Sequence, residues 1–424
     1  MHIAFFNRSY FPDQTATGQL LTDLCEDLVR DYGYRVSVVT GQPLQPLPGH
    51  QVPGVRGRAL VALDEHNGVH ILRARGTRFD KRRFAGRACN YMSYFVSACY
   101  AGLRLDRPDV VVALTDPPIV GLAAWLAGRR FGVPFVMAFK DLFPEVTVLL
   151  EDFHSERINQ ALQAVNRFLV RHAAVNIALS ETMRARLIAD KGAPAARTTI
   201  IPDWADTSAV RPGDKQNPFA RAHGLADAFV VMHSGNLGLS QNLETLVEAA
   251  ALLRDLPNLL VVFQGEGVKK AELERQVRDL GITNVRFLPF APREQLGESF
   301  AAADVFVVSL QRGLAGYIVP SKLYGILAAG RAYVAAVEES CEVASMTRIH
   351  QCGLVAEPGD ARQLAACVKT MYRDRERTRQ WGANARRLGL TFDRRIQVAR
   401  YAEVFRSLMP ATAAPAVARV EPNA

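Results

Sequence analysis

The sequence predicts an α/β protein in which two Rossmann-like domains, each built on a parallel sheet, face each other across a cleft. Three observations support this: short β-branched runs alternate with amphipathic helical stretches, the alternation stops once in a polar segment, and it then restarts. Strand–helix alternation is typical of a parallel sheet covered on both faces. The length of 424 residues also exceeds the roughly 250–300 residues at which a single core stops growing.

The first half of the chain contains short runs rich in β-branched and aromatic residues, separated by helix-compatible stretches. Such runs are typical of strands, whereas residues 15–32 show the apolar spacing of a helix. The predicted strands are HIAFFN (2–7), RVSVVTG (35–41), VHILR (69–73), VVVAL (110–114), PFVMAF (134–139) and AVNIALS (174–180). They define a predicted first domain over residues 1–204.

A polar segment at residues 202–227 contains Pro and Gly and has no sustained period, so we expect a linker there. The alternation restarts after it and defines a predicted second domain over residues 205–392. Its strands are FVVMHSG (229–235), NLLVVFQGEG (258–267), VRFLPF (285–290), DVFVVSL (304–310) and RAYVAAV (331–337). We expect a final amphipathic helix at 393–409 to pack back on the first domain, and the Ala/Pro-rich tail 410–424 to be disordered.

Composition restricts the class of protein and of partner. The chain has 51 Lys and Arg against 42 Asp and Glu, a net charge of +9, and 49% apolar residues, which excludes disordered and fibrous classes. It has no long apolar run that would span a membrane and no signal-peptide pattern at its N-terminus. Scattered cysteines without a C-x-x-C fit buried thiols in a reducing compartment better than a metal site. We therefore expect a cytoplasmic protein whose charge suits nucleic acid, an anionic membrane or phosphorylated substrates.

Ligands of open parallel sheets bind beyond the carboxyl ends of the strands, so we expect a site in the cleft, lined by loops of both domains. A dinucleotide-binding fingerprint is absent, because the G-x-G at residues 265–267 is not followed by a third Gly. The loops at residues 15–18 and 234–243 each open a helix, whose free amides suit an anion. A capped surface turn explains the same residues without a ligand.

The segment GYIVPSKLYGILAAG at residues 316–330 is the strongest candidate for a phosphate contact. Pro320 and Ser321 are typical of a helix start. Lys322 would lie in the first helical turn, where the helix dipole favours acids over cations. A bound anion would explain a cation there, and the alternative is a surface lysine whose stem covers apolar side chains.

A set of short motifs occurs in a specific order along the chain. They are Phe11-Pro12-Asp13 with Gly18, TDPP (115–118), DLFPE (141–145), LSETM (179–183), IPDW (201–204), SGNLG (234–238), GEG (265–267), ADV (303–305), VPSK (319–322) and EPGD (357–360). Each is weak alone, but their order and spacing resemble a family 4 glycosyltransferase of the GT-B fold. The resemblance is strongest to the colanic-acid and O-antigen biosynthesis enzymes of the WcaI and WbuB kind, and it extends over nearly the whole chain.

The resemblance implies a nucleotide-sugar donor, linked to UDP or GDP, in the second domain. It implies a polyprenyl-diphosphate-linked or glycan acceptor in the first domain, from cell-surface polysaccharide biosynthesis (O-antigen, capsule or exopolysaccharide). Such enzymes retain the anomeric configuration and need no metal or other cofactor, because helix dipoles and cations stabilise the leaving diphosphate. Residues 265–267 would lie near the base and ribose, Lys322 at the diphosphate, and Gly18 where the backbone approaches the donor. The implied donor-binding residues are Gly18, Gly235, Asn236, Gly265, Glu266, Gly267, Pro320, Ser321 and Lys322.

The chain also departs from the family pattern. Many members have two glutamates eight positions apart, where this chain has Tyr317 and Gly325. The usual Arg and Lys after the first strand of the second domain are Asn236 and Gln241 here. These departures leave open a catalytically silent nucleotide-sugar-binding protein. A second alternative is a nucleotide-sugar 2-epimerase, which also has two facing Rossmann-like domains.

Three acids that follow predicted strands of the first domain are the candidate catalytic residues. Asp141 and Glu145 lie in an apolar loop, where an unpaired charge is costly unless something is bound. Asp116 precedes two prolines in a turn that we expect to face the cleft. A carboxylate there could orient or deprotonate an acceptor hydroxyl, whereas helix capping, or neutralisation of Asp141 by Lys140, is the alternative. We predict that His233 is an ordinary core residue of its apolar strand.

Positive charge is concentrated at residues 56–87, which hold nine Lys and Arg residues against three acids. The apolar and aromatic run YMSYFVSACY (91–100) follows and predicts a helix. Basic residues beside such a surface are typical of peripheral docking on an anionic membrane, so we expect residues 56–104 to contact the cytoplasmic face of the inner membrane. A solvated loop before a core helix is the alternative. No nucleic-acid-binding module is recognisable, so we expect no nucleic-acid partner.

Overall fold

A computed structural model describes residues 1–43, 50, 52–54, 59–79, 84–150 and 155–410. In the N-terminal domain it contains an eight-stranded sheet with the order β3-β4-β2-β1-β5-β6-β7-β8. The strands are β1 His2–Phe6, β2 Arg35–Thr40, β3 Val61–His66, β4 Val69–Ala74, β5 Val110–Ala113, β6 Phe135–Ala138, β7 Val175–Ala178 and β8 Thr198–Ile200. The helices are α1 Ala16–Arg30, α2 Phe84–Leu103, α3 Val120–Phe131, α4 Glu145–Leu150, α5 Glu156–His172 and α6 Glu181–Lys191.

The C-terminal domain has a six-stranded parallel sheet with the order β11-β10-β9-β12-β13-β14. Its strands are β9 Phe229–Ser234, β10 Leu259–Gln264, β11 Val285–Leu288, β12 Val305–Ser309, β13 Ala332–Ala336 and β14 Gly353–Ala356. The helices are α7 Pro218–Ala222, α8 Glu244–Leu252, α9 Lys270–Asp279, α10 Leu296–Ala301, α11 Lys322–Ala328, α12 Glu342–Ile349, α13 Ala361–Arg373, α14 Arg375–Thr391 and α15 Arg394–Ser407. The prediction of two parallel-sheet α/β domains is confirmed.

Three strands were not predicted from the sequence, and all three are edge strands: β3, β8 and β14. β3 pairs antiparallel with β4 and leaves Leu63 77% exposed, so its sequence lacks the apolar run of a buried strand. β8 is only three residues long. Edge strands are paired on one side only and need not be covered on both faces, so they give a weaker sequence pattern.

Central strands supply the cores of both domains because each is buried on both faces. Every residue of β1, β5, β6, β12 and β13 is buried. Apolar clusters lie on both faces of each sheet, beneath the flanking helices. Loops at the carboxyl ends of these rigid strands therefore hold their side chains on a fixed base.

The last helix, α15, returns to the N-terminal domain. The ring of Phe405 lies 6.1 Å from that of Phe5 on β1. Arg394 Nε donates to Asp27 Oδ2 of α1 at 2.5 Å, and a second ion pair of 2.9 Å joins Arg394 to Asp23. The predicted linker at 202–227 contains α7. Residues 411–424, which were predicted to be disordered, lie outside the described residues.

The two domains meet at several polar contacts near the strand ends. Glu342 of α12 accepts a hydrogen bond of 2.8 Å from the backbone N–H of Glu181, at the start of α6. Arg293 donates to Asp23 of α1 at 2.8 Å. The segment before α11 contacts the loop after β6, where Ile318 pairs with Asp141 in an antiparallel bridge. These contacts bring loops of both sheets to one junction.

Among the described residues, no helix combines the length and apolar character needed to span a bilayer. Within the same residues, no group of three or more His, Cys, Asp or Glu side chains is arranged to hold a metal ion. All six cysteines are free thiols. The expectation of buried thiols is wrong for Cys89, which is exposed on α2, and only Cys25, Cys341 and Cys352 are buried.

Candidate active site

Two loops at the carboxyl ends of β9 and β10 pack tightly against each other. The backbone N–H of Gly235 donates to the carbonyl of Gln264 at 2.9 Å. Gly265 has a φ of +145°, and a Cβ on it would lie 1.9 Å from the Gly235 carbonyl oxygen. A Cβ on Gly267 would lie 2.2 Å from the Leu237 carbonyl oxygen. The G-x-G motif therefore lets the two loops touch, which only glycine permits here.

Lys322 is the central cation of this part of the molecule. Its Nζ lies 2.9 Å from Nε2 of His233 on β9. Burial alone lowers the pKa of Lys322 to about 7. Gly235 lies next to the lysine, where a Cβ would be in ordinary contact at 3.5 Å from Nζ, and its φ of +132° is one that favours glycine. The sequence prediction that His233 is an ordinary core residue is incomplete, since this buried imidazole is the hydrogen-bond partner of Lys322.

Buried polar atoms at the neighbouring strand ends have no partner within the described part of the chain. They are Nε2 of Gln264, at the end of β10, and Oγ of Ser309, at the end of β12. The other amide atom of Gln264 accepts hydrogen bonds from Ser299 at 2.6 Å and Ser234 at 3.2 Å. Buried polar groups are normally hydrogen-bonded, so these two atoms are open to hydrogen bonds with a polar ligand.

The other predicted donor-binding residues of the second domain lie around this cation. Glu266 forms an ion pair of 2.6 Å with Lys270. Asn236 packs on Gly238, where a Cβ would approach its Nδ2 to 2.5 Å. Ser321 stands at the N-cap position of α11, as the sequence predicts, but its side chain makes no capping hydrogen bond. Pro320 accepts instead, from the N–H of Leu323 at 3.1 Å.

Gly18 lies in the first turn of α1, at the N-terminal domain's side of the cleft. Thr15 caps this helix and accepts a hydrogen bond of 3.3 Å from the Gly18 N–H. A Cβ on Gly18 would lie 2.9 Å from Thr15 Oγ1 and 3.4 Å from Cβ of Ser9. The Gly18 amide is therefore capped by Thr15, as the alternative without a ligand predicts for this loop. Close packing requires glycine at position 18.

Asp116 is held by two residues that the sequence analysis did not single out. Arg8 approaches its Oδ1 at 3.2 Å, and Ser9 donates to its Oδ2 at 2.9 Å. The guanidinium of Arg8 lies 5.0 Å from the ring centre of Tyr91 on α2. Arg8 and Ser9 lie two and three residues after the end of β1, and Asp116 lies three residues after the end of the neighbouring strand β5. The parallel pairing of β1 with β5, which a single sequence does not specify, brings them together.

Asp141 lies in the loop after β6, beside the C-terminal domain. Burial, helped by the charges of Asp203 and Asp116, raises the pKa of Asp141 to about 7. Lys140 does not pair with it, because Lys140 Nζ binds Asp203 Oδ1 at 2.5 Å. The alternative that Lys140 neutralises Asp141 by direct pairing is therefore wrong. Asp141 is a carboxyl group that exchanges its proton near neutral pH.

Glu145 has a different environment from the other two candidate acids. Both of its carboxylate oxygens lie 2.7 Å from Nζ of Lys191, whose side chain is only 1% exposed. Gln163 also donates to it, at 2.5 Å. Glu145 begins α4 and ties it to α5 and α6. Its carboxylate is thus engaged in an ion pair, as is that of Asp116 with Arg8, so Asp141 is the better candidate for chemistry.

Tyr317 and Gly325 are the two positions at which the sequence departs from the glutamate pattern that the resemblance implies. The Tyr317 ring faces the N-terminal domain, where Arg186 lies 4.7 Å from the ring centre. A Cβ on Gly325 would lie 2.8 Å from the Phe300 ring, so the C-terminal core takes the space of a side chain there. A cavity of about 630 Å³ lies beside Tyr317, with α4 and α5 on its other wall.

Comparison with known families matches both halves of the chain. Residues 15–204 match the Glycosyl transferase 4-like domain, and residues 216–388 match Glycosyl transferases group 1. Among curated proteins, the chain is 24% identical over 390 residues to the putative colanic acid biosynthesis glycosyl transferase WcaI of Escherichia coli K12. That match covers 87% of this chain and 91% of WcaI.

Solved structures give the same fold. HepE of Anabaena, crystallised with UDP, superposes with a TM-score of 0.70 at 18% identity, covering 96% of this chain and 100% of HepE. HepE has also been solved with UDP-glucose. WaaG, a glycosyltransferase involved in lipopolysaccharide biosynthesis, superposes with a TM-score of 0.69 at 18% identity, covering 95% of this chain and 99% of WaaG.

Proposed function

The chain belongs to the GT-B glycosyltransferases, and we propose its reaction on that basis. Its N-terminal domain matches the glycosyl transferase 4-like domain, and its C-terminal domain matches glycosyl transferases group 1. The chain transfers a sugar from UDP or GDP to a lipid-linked or glycan acceptor in cell-surface polysaccharide biosynthesis. The observation that supports this best is the partly buried cation Lys322, whose hydrogen-bond partner His233 is neutral. A diphosphate supplies the negative charge that such a site lacks.

The donor would bind over the ends of β9, β10 and β12. Lys322 would contact the diphosphate, and the free donor atom of Gln264 would meet a ligand oxygen. The loop at residues 265–267 would lie near the base and ribose. HepE, which binds UDP-glucose, and the relation to WcaI support a nucleotide-sugar donor for cell-surface polysaccharide.

Transfer breaks the bond between the anomeric carbon and the diphosphate and forms one from that carbon to the acceptor oxygen. The positive charge of Lys322 stabilises the diphosphate as it leaves, which is the role that a metal plays in other transferases. We propose that the reaction is metal-independent and retains the anomeric configuration. Asp141, or Asp116 with its Arg8 partner, receives the hydroxyl proton or orients the hydroxyl.

A panel of UDP- and GDP-sugars tests this proposal. Purified protein would be incubated with each donor, with and without lipid-linked oligosaccharide or free glycan acceptors, and released nucleotide would be measured with and without EDTA. Acceptor-dependent release that EDTA leaves unchanged supports the proposal. Conversion of the donor sugar without acceptor would indicate a 2-epimerase, and binding without turnover would indicate a silent binding protein.

We also propose that the enzyme works at the cytoplasmic face of the inner membrane, contacting it through α2. One face of α2 exposes four apolar side chains, with exposed fractions of 51% at Met92, 57% at Val96, 38% at Tyr100 and 46% at Leu103. Residues three or four positions apart lie on one face of a helix, so these four form a stripe. Such a stripe suits the interface region of a bilayer.

Basic residues lie in the segment that leads into α2. Arg75 and Arg78 are exposed there, next to Phe79, which is 56% exposed. Arg73 is the exception: it is buried against Asp64 at 2.6 Å, so its inclusion in a membrane-facing cluster is wrong. The cluster's residues 56, 58 and 81–83 lie outside the described residues. Positive charge beside an apolar stripe favours anionic lipid as the occupant.

A further inference from the structure

We infer that His233 is a positioning residue for Lys322, holding its ammonium group toward the donor diphosphate by accepting one of its hydrogen bonds. The inference rests on the proposed nucleotide-sugar site and names the group that orients its cation. Nε2 of His233 lies 2.9 Å from Nζ of Lys322. An ammonium group has three donors, so two remain for ligand oxygens.

The imidazole is fixed in place by its strand. His233 is fully buried on β9, a strand paired on both sides with β10 and β12. Lys322 is partly buried, so an anion can still reach it from the cleft. A lysine side chain loses rotamer entropy when it binds a ligand, and a rigid partner removes part of that loss before the ligand binds.

A neutral partner suits this role better than an acid. Burial lowers the pKa of His233 well below its ordinary value, and the positive charge of Lys322 lowers it further, so the ring is neutral and Nε2 can accept. A carboxylate would cancel the lysine's charge and compete with the ligand, whereas imidazole leaves that charge available.

The surroundings contribute no other titrating group among the described residues. The elements packed around the imidazole present the Phe263 ring of β10, with its centroid 6.4 Å away, and the backbone at Asn236 and Val307. Lys322 is the sole charged side chain that acts on His233, and burial is the sole cause that lowers the pKa of Lys322. The charge of this site therefore follows the protonation of Lys322.

A pH dependence of donor binding follows. Lys322 is mostly protonated below pH 7 and mostly neutral above it, because its pKa is about 7. Diphosphate binding favours the charged form, so affinity should fall as pH rises above 7 and binding at pH 8 should take up a proton. Loss of the His233 acceptor would destabilise the ammonium and move this fall to lower pH.

The test is calorimetric titration of UDP, GDP and inorganic pyrophosphate into the protein from pH 5.5 to 9. We expect His233→Leu to weaken binding about tenfold at pH 6 and to shift the pH midpoint downward. His233→Gln, whose amide oxygen can accept the same hydrogen bond, should restore most of the affinity and reverse most of the shift in the pH midpoint. His350→Leu, on an exposed histidine of the same domain, should change neither.

A double-mutant cycle separates positioning from mere folding support. In a Lys322→Ala background, His233→Leu should have no further effect on affinity, because its effect acts through the lysine. An unchanged midpoint in His233→Leu, or equal losses in both backgrounds, would overturn the inference and leave the proposed function intact. Failure of the wild type to bind any of the three ligands would overturn both the inference and the proposed function.

Discussion

The backbone N–H of Leu142 donates to the carbonyl of Tyr317 at 2.9 Å, joining the N-terminal loop after β6 to the C-terminal segment before α11. Asp141 and Lys322 lie on either side of this link, one residue before Leu142 and five residues after Tyr317. A candidate proton acceptor and the candidate phosphate cation are thus held by the same junction. Because Asp141 would act on the acceptor hydroxyl and Lys322 on the donor diphosphate, changes to these two residues should affect different steps of one reaction.

Lys322→Ala should weaken UDP or GDP binding by roughly 10- to 100-fold at pH 6.5, the range expected for a lost hydrogen bond to a charged group. Isothermal titration would measure it. Lys369→Ala, on the outer helix α13, is the matched control and should bind like the wild type. Equal affinity of Lys322→Ala and wild type would refute the phosphate contact.

We expect protonation of Asp141 to cause the fall of the reaction rate at acidic pH, which is the acidic limb of the pH–rate profile. A base with a pKa of about 7 is protonated and inactive below that pH, so kcat at saturating donor, where the weaker donor binding above pH 7 does not limit the rate, should rise through pH 7. Asp141→Asn should lower turnover about 100-fold or more and abolish this limb, with nucleotide affinity little changed. An acidic limb that persists in Asp141→Asn would exclude Asp141 as the base, and Asp116→Asn is then the next variant to test.

The same carboxyl group should influence stability in the opposite direction. Its folded-state pKa of about 7 is above the ordinary value of 3.8, so its stabilising contribution is complete below pH 4 and is lost as pH rises through 7. Asp141→Asn should therefore raise the free energy of unfolding by about 1–2 kcal/mol at pH 8, because the side chain keeps some solvent access, and change it little at pH 4. Urea unfolding at the two pH values measures the difference; equal effects would contradict the raised pKa.

The sequence was sufficient to predict both sheets because the central strands are buried on both faces and consist of continuous apolar runs. It failed at the edge strands β3, β8 and β14: β3 has a mixed polar sequence, and β8 and β14 are only three and four residues long. Lys322 could be singled out because a cation at a helix start opposes the dipole. Arg8 could not, because its partner Asp116 is distant in sequence and lies beside it only through the β1–β5 pairing.

His233 and Glu145 illustrate how little the sequence predicts about the contacts of a single side chain. An apolar strand predicts that His233 is buried, but only the structure supplies its contact with Lys322. Glu145 resembles a loop acid in the sequence, and Lys191, which pairs with it, belongs to α6, three elements further along the chain. Partners far apart in sequence decide whether a charge is available for chemistry.

Glu145→Ala should act on stability more than on donor binding. It leaves Lys191, which is 1% exposed, without its acid, and breaking such a buried pair costs about 3 kcal/mol. Urea unfolding should show that loss, with UDP or GDP affinity unchanged. Glu156→Ala, on the same cavity wall, is the control and should change stability by less than about 0.5 kcal/mol. If Glu145→Ala kept the stability of the wild type but abolished turnover, Glu145 would instead be a catalytic residue.

Membrane contact should depend on the apolar stripe of α2. Met92→Glu/Val96→Glu places two acids on exposed positions, so it should reduce flotation with phosphatidylglycerol vesicles by tenfold or more while the melting temperature stays close to that of the wild type. Ile349→Glu, at a 72% exposed apolar position of the C-terminal domain, should float like the wild type. Vesicles of phosphatidylcholine alone should bind weakly, because the basic residues before α2 favour anionic lipid. Flotation of the double variant equal to wild type would place the membrane contact elsewhere.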